Sequence, residues 1–349
     1  MSQISDTVKN NRWICFMVVF IVLFYIFMIQ MDRNEKKYDK TTVGETSASI
    51  VSAKEIRAKE DLFKKNIQNH PFLVSGMTLL FFLVVFEGLF IDIYLLNKRI
   101  KGAPLVSGGL THESVPWGLK EVAQVFMFLF FVETLILLIE WAFLTLSGSS
   151  FSEKDLILML NSLIRDISAA ALVIFFVTKR FGRPCQTIGL TTQNFFKNVK
   201  IGLLGYLAII PAILMVLIIL SAVAKKLCYE PPVQAVVQIY LKEMGRNALL
   251  FFTLFVTIVG PMIEEVFFRG FTYKAFRQRW GVRWALVASS GIFAGLHLSL
   301  IGFFPIFLLG LFLAYLYEIT GSLVPSMTAH MIHNLIMVSL TLVFKNYSS

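Results

Sequence analysis

An all-α, polytopic membrane fold is predicted by three features of the sequence. Its residues are 56% hydrophobic and only 15% charged, with a mean hydropathy of +0.72, which is not the balance of a soluble domain. Apolar runs of about 20 residues, enough for a helix to cross a hydrocarbon core of about 30 Å, recur along nearly the whole chain. The runs are too long and too continuously apolar for barrel strands, and a helix in lipid satisfies its backbone groups within its own segment.

About nine spans are expected, at 13–30, 72–96, 122–146, 156–178, 199–224, 249–268, 284–300, 303–319 and 323–344. The first follows Lys9 and Arg12, is long and aromatic, and lacks a small-residue cleavage site, so it reads as an uncleaved anchor. The polar stretch 31–70 contains "SAKEIRAKEDLFKK", which suits a solvated amphipathic helix, one lying on the lipid surface, or a linker. Residues 1–120 therefore divide off as anchor helices and a polar loop with no assigned role. Residues 121–349 form the membrane-embedded bundle, entered through the turn-rich connection "FGRPCQTIGL" at 181–190.

The net charge of +10 does not indicate nucleic acid, because the basic residues sit in short groups at helix ends: Lys98, Arg99 and Lys101; Lys179, Arg180 and Arg183; Arg277, Arg279 and Arg283. That pattern fits positive-inside anchoring, with the N-terminus inside the cytoplasmic membrane, although the loop between the first two spans is also rich in Lys and Arg. Cys15, Cys185 and Cys228 are scattered without pairing or metal-ligand spacing, so neither a disulfide framework nor a thiolate zinc site is indicated.

The purposeful polar residues of the membrane region fall almost entirely at about 244–346. "PMIEEVFFRG" (261–270) carries two glutamates and an arginine among Phe, Val and Ile, and an ionised group at a helix centre costs about 2.5–3.5 kcal/mol on insertion scales. Glu265 and Arg269 are spaced i, i+4 with the acid first, so they pair on one helical face. Glu264 points about 100° away and is left as the free carboxylate. Glu87, Glu133 and Glu140 show that a lone membrane acid is not by itself a site. Glu264 has company: "FAGLH" ends at His297, and "HMIHN" places His330, His333 and Asn334 on the last span, with Phe293/His297 and His330/Asn334 each sharing a face. A glutamate and a histidine can activate water, and an imidazole with an amide N–H can stabilise an oxyanion, so this constellation suits hydrolysis.

At these residues the sequence resembles the CAAX protease and bacteriocin-processing (Abi) family of intramembrane endopeptidases, which includes the type II CAAX prenyl endopeptidases. The family pattern, Glu-Glu-x-x-x-Arg, then Phe-x-x-x-His, then His-x-x-x-Asn or Asp, stands here at Glu264 to Arg269, Phe293 to His297 and His330 to Asn334. "TIGL" at 187–190 resembles a segment often found upstream, whereas about the first 120 residues have no counterpart. The resemblance implies a peptidase in which Glu264 is the general base assisted by His297, His330 and Asn334 form the oxyanion site, and Glu265 with Arg269 gives structural support. His333 lies outside the family pattern and is expected to pack locally.

The resemblance implies a membrane-associated protein or peptide as substrate within the bilayer. Both metal-dependent and metal-free mechanisms are described for such families. No His-Glu-x-x-His helix is present, which favours water activated by Glu264 and His297 without a cofactor; zinc held by His297 and His330 is the alternative. A catalytically inactive scaffold or immunity protein and a proton-coupled transporter are the rival functions. One geometric problem is visible. If a helix ends near Phe268, Glu264 and His297 fall at opposite membrane faces, and a break at Gly260-Pro261 with a helix running on to about Phe276 would bring them level.

Overall fold

The computed structural model describes residues 53–102, 114–147, 152–229, 234–241 and 245–348, and the predicted anchor at 13–30 lies outside them. Among the described residues there are helices and no strand. In chain order they are α1 (Ala53–Gln68), α2 (Pro71–Ile100), α3 (Leu119–Ser147), α4 (Ser152–Phe175), α5 (Phe195–Lys226), α6 (Ala235–Leu241), α7 (Arg246–Leu254), α8 (Gly260–Glu265), α9 (Lys274–Gly295), α10 (Phe303–Thr320) and α11 (Leu323–Tyr347). Six helical runs among the described residues are long and apolar enough to span a membrane, which makes this a multi-pass integral membrane protein.

Local chemistry sets several of these boundaries. Pro71 opens α2 at a position where its missing N–H is no loss, and Lys98 and Arg99 close it in the last turn. Pro211 inside α5 cannot donate to the carbonyl of Leu207 four residues back. Gly88 of α2 lies against that carbonyl and the Pro211 ring; a Cβ there would clash with Leu207 O. Gly202 of α5 meets Pro325 and Thr328 of α11 in the same way, so small residues let the helix backbones approach closely. The polar helix α1 folds back onto the end of α11, where Asn66 Nδ2 donates to Tyr347 O at 3.0 Å and Phe63 meets Phe344.

The predicted spans 249–268 and 284–300 do not end and restart where the sequence suggested. They belong to one helical run, Arg246–Gly295. Within it, π-helical turns at Phe255–Val259 and Val266–Tyr273 flank α8, and the chain reverses at Gly281, whose φ of 76° and ψ of 175° are open to glycine at little steric cost. Phe268 packs on Phe293 at 5.1 Å across this hairpin. Glu264 lies seventeen residues before Gly281 and His297 sixteen after it, so the two arms bring both side chains to one level. The expected break at Gly260-Pro261 is therefore absent; Pro261 sits inside a continuous helix whose turn is widened just before it.

"TIGL" straps this hairpin to the rest of the bundle. Lys274 Nζ donates to Thr187 O, Tyr317 OH to Ile188 O at 3.1 Å, and Leu323 N–H to Gly189 O at 2.9 Å. Gly189 has φ of 85° and Gly270 faces Ile188 so closely that a Cβ would lie 3.0 Å from its carbonyl. Trp117 completes the packing beside the second π turn, stacked on Phe271 and donating its indole N–H to Phe271 O at 3.1 Å.

Candidate active site

The π turn before α8 explains one polar contact of the site. In that turn Gly260 N–H bonds Phe255 O, five residues back, so the next carbonyl in the ladder, Val256 O, would need a donor from residue 261. Residue 261 is proline and has none. Asn334 Nδ2 donates to Val256 O at 2.9 Å instead. One amide hydrogen of Asn334 is thus committed to holding α11 against the widened turn, and the second remains for the cavity described below.

Adjacent residues on a helix diverge, and Glu264 and Glu265 do so here. Glu265 is fully buried, with Oε1 2.8 Å from Arg269 Nη1. Arg269 is also buried, donates to Gly310 O at 3.2 Å, and lies 4.5 Å from the centre of the Phe293 ring. Phe293 is a hub. Its ring also meets those of His297 at 4.9 Å and His330 at 5.7 Å, so it wedges the motif residues into place.

His330 stands between the two glutamates: Nδ1 is 3.1 Å from Glu265 Oε1 and Nε2 is 3.6 Å from Glu264 Oε2. Because Glu265 carries the Arg269 ion pair and accepts, Nδ1 is the nitrogen that bears the proton, leaving Nε2 turned toward Glu264. Glu265 therefore orients a histidine as well as pairing with Arg269. His297 Nδ1 lies 2.8 Å from Phe293 O, a carbonyl that can only accept, so its Nε2 too is the free position. His333 faces elsewhere, 3.2 Å from Tyr206 OH on α5, where it packs locally.

Glu264, His297, His330 and Asn334 line one cavity of about 310 Å³, into which the 31%-exposed Glu264 side chain opens. Glu265 and Arg269 lie behind it. Three polar lining residues escaped the sequence reading: Ser162, Arg165 and Asp166 of α4. A signal existed, since Arg165 and Asp166 are adjacent charges inside the predicted span 156–178. Among the described residues no group of three or more His, Cys, Asp or Glu side chains is placed to hold a metal ion. No step below is routed through one.

The geometry coincides with a family match. Residues 246–336 match the family described as type II CAAX prenyl endopeptidase Rce1-like. This match supports an intramembrane peptidase of the CAAX type in general, acting on a membrane-associated substrate. The matched segment holds all seven motif residues and both arms of the hairpin; α1 to α6 lie before it. No curated protein and no solved structure matches the chain.

Proposed function

We propose that this protein is an endopeptidase that hydrolyses a peptide bond of a membrane-associated protein or peptide with water activated by Glu264. The observation that carries this reading is the convergence of Glu264, His297, His330 and Asn334, all within the family-matched segment, on a single cavity. Glu264 takes a proton from water as the hydroxyl oxygen attacks the scissile carbonyl, and His297 Nε2, free to accept, assists in orienting that water. His330 Nε2, close to Glu264, receives the proton and with it becomes a donor toward the cavity. From there it stabilises the oxyanion together with the second Asn334 N–H, then passes the proton to the leaving amine. The N-terminus-inside orientation in the cytoplasmic membrane belongs to the same proposal, as does independence from any cofactor.

Two expectations test these roles. His330→Ala and Asn334→Ala should lower kcat by about 10²–10³ with KM little changed, because an oxyanion donor acts mainly in the transition state. Asn334→Ala should also lose about 1–3 kcal/mol of stability through the abandoned Val256 carbonyl. Full activity in both variants, on a farnesylated quenched-fluorescent peptide with a CAAX tail that the wild type cleaves, would remove the oxyanion role. Separately, exhaustive chelation should leave cleavage nearly unchanged, and elemental analysis of the purified protein should find no stoichiometric zinc. Activity lost to chelators and restored by zinc would overturn the metal-free mechanism.

A further inference from the structure

Two charged side chains of the cavity wall take no part in the chemistry above. Ser162, Arg165 and Asp166 are spaced i, i+3 and i+4 on α4, so one face of that helix forms a side of the cavity opposite the catalytic motifs in sequence. Neighbouring residues on a helix project about 100° apart, yet Arg165 Nε donates to Asp166 Oδ1 at 3.2 Å, so the two side chains lean toward each other over the cavity. The other arm of the guanidinium, Nη1, is 3.8 Å from Glu133 Oε2 on α3. Among the described residues these contacts leave Asp166 Oδ2 and Arg165 Nη2 uncommitted.

We propose that Arg165 and Asp166 form a substrate-positioning clamp that binds the main chain of an extended peptide beside the scissile bond. Asp166 Oδ2 accepts a peptide N–H and Arg165 Nη2 donates to a peptide carbonyl. In an extended chain the N–H and C=O of one residue point to the same side, so an adjacent acceptor and donor match a single residue of the substrate. A charged substrate side chain fits less well, since it would be attracted by one member of the pair and repelled by the other. A substrate must also leave its own helix to expose a peptide bond to water, and in a low-dielectric site the freed N–H and C=O need new partners. The clamp supplies them, and it lies outside the family-matched segment.

The inference rests on the hydrolytic reading, and the test separates the two. Initial rates are measured in proteoliposomes on the farnesylated quenched-fluorescent CAAX peptide, and on a series in which each N–H flanking the scissile bond is replaced in turn by an ester oxygen. In the wild type one ester should raise KM roughly tenfold or more, the worth of a hydrogen bond to a charged group. Asp166→Ala should raise KM by a similar factor with kcat within about threefold, and that same ester should then add nothing. An ester penalty of equal size in wild type and Asp166→Ala overturns the clamp, as does a fall in kcat at unchanged KM. The ester series in the wild type needs no variant to fold; if no flanking ester alters KM, the clamp is wrong while the protease reading stands. Were the wild type to cleave no peptide, both would fall together.

Discussion

Exchanging Glu264 for glutamine is expected to lower cleavage by about 10²–10⁴ while the protein stays folded and inserted, because an amide cannot accept the proton that a general base must remove from water. Glutamine keeps the shape of the side chain and most of its hydrogen-bonding capacity, so a glutamate that only packs would tolerate the change. Glu264 suits the base role by position: it opens into the cavity, while its neighbour Glu265 is sealed behind it with Arg269. The measurement is the initial rate on the farnesylated peptide, paired with thermal unfolding in detergent. Glu87→Gln is the control, an exposed acid on α2 that does not line the cavity, and should be silent. Normal cleavage by Glu264→Gln, or equal losses in both variants, would end the mechanism.

Much of this site was legible in the sequence because it is built from helical repeats. Glu265–Arg269, Phe293–His297 and His330–Asn334 are each four apart, and that spacing alone puts each pair on one face of a helix. What could not be read was how the faces meet. His330 reaches Glu265 across 65 residues of sequence, and no periodicity reports such a contact. The Asn334–Val256 bond needs a widened turn before Pro261, and the wide register of that turn is visible only in coordinates. The level problem between Glu264 and His297 had a similar origin. Apolar patterning placed a helix end near Phe268, because Arg277, Arg279 and Arg283 look like a loop, whereas the helix continues through Arg277 and Arg279, reverses at Gly281 and carries Arg283 on its returning arm. Tertiary burial of Lys274 against the "TIGL" strap lets that charged stretch remain helical. Arg165 and Asp166 were hidden for a different reason: α4 is distant in sequence from the motifs, and only packing against α8 brings it to the cavity.

Arg269→Ala is expected to destabilise the protein by about 3–5 kcal/mol, the cost of breaking a buried ion pair from one side. The guanidinium is almost completely buried, pairs with Glu265 at 2.8 Å, donates to Gly310 O and covers the Phe293 ring. Removing it leaves a carboxylate without its cation, a carbonyl of α10 without its second donor, and a void beside the aromatic hub. Each of these raises the free energy of the folded state, and the first dominates because an unpaired charge cannot be rehydrated at a site with no exposure. A purely steric role would predict that the double exchange Glu265→Gln/Arg269→Met is as damaging as Arg269→Ala. The ion-pair account predicts the opposite: the double variant removes both charges, fills the same space, and should recover much of the lost stability. It should not recover full activity: the glutamine amide oxygen still accepts from His330 Nδ1, but the negative charge that stabilises the imidazolium formed when Nε2 takes the proton is gone. Thermal unfolding in detergent and peptide cleavage are therefore read together on the two variants. If Arg269→Ala unfolds at the wild-type temperature, the pair does not support the fold. If the double variant cleaves at the wild-type rate, the Glu265 charge does not assist His330.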